Sequence, residues 1–231
     1  MSSRNLVAPL IALAAASVLT SGCGADPLNV VVLSARAPGN KCDFSDDTLY
    51  VARGSLDLRP YVDGGQQFQT QRYYQVFSWR SNLTSVPITV NGQVVDPASG
   101  NDFVADSVHY EYQYSDPNVV LAPEAQNMRA VITAGGNQTD NSVPADLIQP
   151  GAFAAINASN LGSAGQTLLV TFQIFGKLAA GGSKHTNKVT FPLTVYRSST
   201  TALDCGASGM IPNGGVCGVP GRDQDVSCTT P

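Results

Sequence analysis

The chain has 231 residues, a formal net charge of -4, 43% hydrophobic and only 13% charged residues, with 22 glycines and 14 prolines. Ample apolar residues at low net charge exclude an intrinsically disordered chain. The acidic balance speaks against nucleic acid as a partner, because phosphate binding needs a basic face, and the length suits one all-β domain.

Residues 1–22 read as an export signal. Arg4 supplies the positive n-region, and an apolar stretch runs from Leu6 to Leu19. At about 14 residues it falls short of the roughly 20 that a bilayer span needs. It ends in Leu19-Thr20-Ser21-Gly22-Cys23, which resembles the lipobox of bacterial lipoproteins, with Thr20 where that family favours leucine. The resemblance implies cleavage before Cys23, a thioether-linked diacylglyceryl group on its sulfur and acylation of the new amino group. Two or three acyl chains hold a protein at a membrane where one holds it only marginally. Gly24 stands where an aspartate would signal inner-membrane retention, so the expected location is the outer membrane, in its periplasmic leaflet or at the cell surface.

Residues 23–41 are expected to form the lipidated N-terminus and a tether, with a short β-rich run at Asn29–Leu33. The β-domain is expected over 42–197 and a Cys/Gly-rich tail over 198–231. Leu49-Tyr50-Val51 and Gly54-Ser55-Leu56-Asp57-Leu58 are strand candidates. Tyr73, Gln75, Phe77 and Trp79 share one face of a strand, Tyr74, Val76, Ser78 and Arg80 the other. Apolar residues on both faces predict burial on both sides. Pro87–Val90 runs into Asn91-Gly92, a strong hairpin signal. Val108, Tyr110, Tyr112 and Tyr114 alternate with His109, Glu111 and Gln113, the pattern of a half-buried strand. Met128–Thr133 adds a shorter one. One short helix is expected near Ala145–Ile148 or Ala152–Ile156. Leu168, Val170, Phe172 and Ile174 make one face of a long strand ending near Gly176. Val189, Phe191, Leu193 and Val195 face inward on the next, and the turn-rich Ala179–Lys184 connector joins the two as an antiparallel hairpin. Pro192 removes a backbone donor and predicts an edge or bulge there. Short strands, Gly/Pro/Asn punctuation and little helix predict an all-β antiparallel sandwich, Ig-like or jelly-roll-like, with a disulfide-tied tail.

Cys23 is assigned to lipid, and Cys42, Cys205, Cys217 and Cys228 remain, an even number in an exported chain and hence two disulfides. Cys42 lies far from the other three, so one bridge joins the N-terminal segment to the tail and the other staples the tail to itself; three pairings stay open. Without a C-x-x-C, and with His109 and His185 far from the cysteines in sequence, zinc is not expected. Asp43, Asp46 and Asp47 read as solvated turn carboxylates rather than a calcium loop. No G-x-S-x-G occurs, and the only glutamates, Glu111 and Glu124, are weighed against a glycosidase pair and read as ordinary side chains. No catalytic residue, metal or cofactor is expected. Tyr110, Tyr112 and Tyr114, with Tyr73, Tyr74 and Trp79, are the candidate aromatic ligand platform, set against the commoner role of alternating aromatics as core.

Gly54–Leu58 followed by Tyr61, Ser81-Asn82-Leu83, Phe175-Gly176-Lys177 with Gly181-Gly182 and Asn187, Phe191–Val195, and Gly221-Arg222-Asp223-Gln224-Asp225 before Cys228 form a pattern similar to that of myxobacterial lipoproteins of unassigned function. The resemblance implies an exported lipoprotein and carries no catalytic residues over. The expected function is a non-enzymatic structural or interaction module, membrane-bound through acyl chains on Cys23, with envelope proteins or polysaccharide as partners. A carbohydrate- or peptide-binding module using the tyrosine-rich strand is the second reading, and an envelope hydrolase the third.

Overall fold

The computed structural model describes residues 29–38, 50–63, 65–135, 142–206, 209–213 and 219–230. The signal segment, Cys23, Cys42, the Asp43/Asp46/Asp47 group and Cys217 lie outside the described residues.

The first half of the chain forms β1 (Val30–Arg36), β2 (Tyr50–Val51), β3 (Gly54–Asp57), β4 (Tyr61–Asp63), β5 (Gln66–Phe68), β6 (Tyr74–Ser81), β7 (Pro87–Val90), β8 (Gln93–Ser99) and β9 (Phe103–Tyr114). The second half forms β10 (Glu124–Ile132), β11 (Ser142–Asp146), α1 (Pro150–Ala158), β12 (Gln166–Leu178), β13 (Ser183–His185), β14 (Val189–Tyr196), β15 (Leu203–Asp204), β16 (Ile211–Pro212) and β17 (Cys228–Thr229). One sheet has the order β11-β6-β1-β2 and a larger one the order β10-β9-β12-β14-β3, with β13 on β12. The all-β sandwich expected from the alternating strands is what the chain builds. Pairing within the two sheets is antiparallel except at β3, which runs parallel to β14.

The two sheets meet through the residues that the period-2 pattern turns inward. Leu168, Val170, Phe172 and Ile174 of β12 are buried, as are Phe191, Leu193 and Val195 of β14. Phe77 of β6 reaches across to Phe172 at 4.7 Å and to Phe191 at 6.0 Å between ring centroids. The middle of β6 is buried on both faces, from Gln75 to Trp79, as its two apolar faces predict. β12 runs through Gly176 to Leu178 instead of stopping there. Gly176 is needed at that crossing, because a Cβ would lie 2.2 Å from the Val104 carbonyl oxygen, beside a register shift between β12 and β9. The Asn91-Gly92 pair closes β7 and β8 with both residues at positive φ, 51° and 77°, the geometry of the hairpin turn it signals.

Three expectations need correction, and one choice between two alternatives is decided. The segment expected to be a tether contributes β1, which pairs with β6 inside the first sheet, so the sandwich begins before residue 42. Ala145 belongs to β11, and the short helix is α1, the alternative around Ala152–Ile156. β14 is not an edge strand. Pro192 lies opposite Leu169 of β12, one residue before the β3 ladder starts at Leu193–Gly54, so its missing N–H costs no rung with β3. The tail does not depend on disulfides alone: Arg222 and Val226 are buried in the sandwich, and β15 pairs with β4.

Candidate functional site: an aromatic groove beside the tail

The expected tyrosine platform is not an exposed row. Tyr110 is 1% exposed, stacks on Tyr112 at 6.2 Å and lies 6.4 Å from Phe172 of β12. Tyr112 and Tyr114 are half-buried against the core, and the Tyr112 hydroxyl accepts from the Gln149 N–H at 3.3 Å. Burial raises the hydroxyl pKa of all three above the ordinary tyrosine value. Tyr73 and Trp79 are also buried. Of the six aromatics weighed together, Tyr74 alone is exposed, at 40%.

Tyr74 belongs to a different aromatic cluster. β4 and β5 form a hairpin whose register sets Tyr61 directly opposite Phe68, and their rings stack at 5.9 Å with a 25° interplanar angle. Gly65, at φ 78°, takes the left-handed position in the turn. A cavity of about 570 Å³ is lined by these two rings, Tyr74, Gln69, Gln71, Arg72 and, from the tail, Val219 and Pro220. A second cavity of about 350 Å³ shares Gln71 and Arg72 with it and continues to Gln126, Asp146, Gln149 and Phe153. Two lining residues in common make them adjoining compartments, each within the size range of small-molecule sites, and together they are the groove considered as the candidate site.

The walls are held by a polar frame. Gln69 donates to Asn157 Oδ1 at 3.0 Å, the Thr70 hydroxyl to the Pro220 carbonyl, Arg72 Nε to Asp146 Oδ2, and the Tyr73 hydroxyl to the Asp223 carboxylate at 3.0 Å. Four of five consecutive residues, 69–73, are thus tied to other elements, while Gln71 is exposed. The tail side is fastened by the Cys205–Cys228 disulfide. Cys205 directly follows β15, so the bond couples the β15-β4-β5 sheet, which carries Tyr61 and Phe68, to the β16-β17 ribbon. Burial raises the Tyr61 hydroxyl pKa, with Asp63 adding to the effect, so Tyr61 is a neutral donor at physiological pH.

The remaining residues weighed for chemistry are dispersed. His109 and His185 are both exposed and flank the Phe175 ring at 4.5 Å and 5.8 Å. Ser107 Oγ lies 3.4 Å from His109 Nε2, whereas Glu111 is ion-paired with Lys188 at 2.7 Å. Both oxygens of Glu124 accept from the first turn of α1, from Gly151 N at 3.1 Å and Ala152 N at 2.7 Å. That carboxylate supplies the cap that Gln149 does not. No group of three or more potential metal ligands occurs among the described residues.

Two sequence signals, neither of them used in the expectations, bear on the rings of this groove. Asp63-Gly64-Gly65-Gln66 between Tyr61 and Phe68 is a hairpin pattern that sets those rings opposite one another, and adjacent Tyr73-Tyr74 on a strand must place one ring on each face. No family model, curated protein or solved structure matches the chain.

Proposed function

We propose that this chain is a lipid-anchored protein of the bacterial envelope that works as a non-enzymatic interaction module, and that its groove binds a carbohydrate chain. The observation that carries this reading is the grouping of Tyr61, Phe68 and Tyr74 in one open wall, with Phe68 43% and Tyr74 40% exposed. Exposed aromatic rings grouped in a concave site mark an interaction surface. Their flat faces match the C–H faces of sugar rings. The amides of Gln71 and Gln126 offer N–H donors to neighbouring hydroxyls, while the buried Gln149 holds that wall together by donating to Gln126 Oε1 at 3.3 Å and to the Asp146 carbonyl at 2.7 Å. The carbohydrate-binding alternative drawn from the sequence is kept, with its residues moved from β9 to the β4-β5 hairpin and the start of β6. The anchor on Cys23 and the outer-membrane location rest on the lipobox resemblance.

The test is calorimetric titration of the full-length protein in detergent micelles against a panel of soluble oligosaccharides. Phe68→Ala and Tyr74→Ala should each weaken binding about tenfold with little change in melting temperature. Absence of binding to every sugar, or binding indifferent to both rings, would overturn the reading; displacement by an extended peptide alone would replace sugar with peptide. Mass spectrometry of the mature N-terminus in the native host checks the anchor, and an unmodified Cys23 rejects it.

A further inference from the structure

We infer that the ligand of this groove is acidic: a carboxylate-bearing oligosaccharide of the uronate type, whose carboxylate is gripped by Arg72. The inference rests on the carbohydrate reading of the groove. Among the described residues, Arg72 is the one formally charged side chain lining the aromatic compartment, and it also lines the adjoining one. Its ion-pair partner Asp146 lines the adjoining compartment only, so the side that faces the aromatic rings presents the cation.

The guanidinium is placed rather than loose. Its Nε is engaged by Asp146 Oδ2, and the Asp146 side chain is 10% exposed while that of Arg72 is 68% exposed. The buried carboxylate holds the group at Nε. The terminal amino groups keep the forked donor geometry that matches a carboxylate with two parallel hydrogen bonds. A neutral sugar uses only the rings and amides. A uronate uses the same rings and adds a carboxylate on the sugar itself, within reach of a cation that shares the cavity with Tyr74. Asp146 is already committed to Nε, so a ligand anion adds to that pair instead of competing for its position.

The experiment titrates the full-length protein in micelles with an oligogalacturonate, with its methyl ester, which has the same backbone without the charge, and with a neutral glucan. The acid should bind at least about tenfold more tightly than its ester, and that preference should shrink as salt is raised. Arg72→Gln should bring the acid-to-ester ratio close to one, and Arg72→Lys should keep part of it. Because Arg72→Gln strands the Asp146 carboxylate, the R72Q/D146N double variant, in which both partners are neutral, serves as the folded control and should lose the preference equally. Equal binding of acid and ester by the native protein, or a preference that survives in the double variant, overturns the inference. In either case sensitivity to Phe68→Ala keeps the carbohydrate reading standing. Binding of none of the three ligands removes both.

Discussion

Asp57 is the residue on which the junction between sandwich and tail depends. It is fully buried, yet its carboxylate is saturated. Oδ1 accepts from the N–H of Arg59 at 3.0 Å and of Ser198 at 2.9 Å, and Oδ2 from the Ser198 hydroxyl at 2.6 Å and the Val226 N–H at 3.0 Å. A buried carboxylate is tolerable only with such a set of donors. Asp57→Ala should therefore destabilise the fold by about 3 kcal/mol, measured by urea unfolding; a loss under about 1 kcal/mol shows that the four donors find other partners. Close by, Gly54 leaves room for the Tyr73 ring, whose hydroxyl would lie 2.0 Å from a Cβ at that position. That room lets Tyr73 reach Asp223 and lie under the Arg222 guanidinium at 5.2 Å. Asp146 makes a pH-dependent contribution. Burial pushes its carboxyl above the ordinary range, and the Arg72 pair opposes that push. Between the unfolded and the raised folded value the native chain holds more protons than the unfolded chain. This group's contribution to stability is therefore lost as pH rises through that window and is recovered on acidification. The stability of the native protein relative to Asp146→Asn should increase as pH is lowered from neutral toward about 4. A difference that shrinks on acidification means that the Arg72 pair outweighs burial.

At the scale of elements, the tail is tied to the fold by pieces that are individually weak. β15 and β16-β17 are pairs of two residues each, too short to persist alone. They are held by the Asp57 network, by Asp223 exchanging bonds with Ser55 in both directions at 2.8 Å, by Tyr196 donating to Asp225 at 2.8 Å, and by the disulfide. The bond closes a loop with a sequence separation of 23, for which chain entropy gives about 3 kcal/mol. The C205S/C228S double variant should lose close to that amount in chemical denaturation. Its tail should be clipped by protease before the sandwich, and sugar affinity should fall with it, since Val219 and Pro220 form one wall of the groove. An intact tail and unchanged affinity in that variant assign the ordering to the polar network alone.

Over the whole molecule, the sheets interleave distant parts of the chain: β1 pairs with β6, and β3 with β14. Closing such separations costs loop entropy before any burial is gained, so these sheets form only when distant segments of the described chain meet. The cysteines follow the same plan. With Cys205 bound to Cys228, and Cys23 given to lipid under the proposed anchor, Cys42 and Cys217 are left. Non-reducing peptide mapping should find them joined, a covalent link between the N-terminal segment and the tail. Two free thiols in protein purified from the native host contradict that pairing.

The sequence by itself determined the all-β class, the inward faces of β9, β12 and β14, and the Asn91-Gly92 turn. These are local properties: side chains alternate with period two, and a turn is decided by the φ values its own residues allow. It could not say which aromatics face solvent, because Tyr74 and Tyr110 sit in equally apolar alternations and differ only in what packs over them. Nor could it assemble the groove, whose walls come from residues 61, 68–72, 74, 126, 146, 148–150, 153 and 219–220. Those segments become neighbours only when two sheets pack and a tail folds back, and the free energy that brings them together comes from the buried core between the sheets, far from the groove itself.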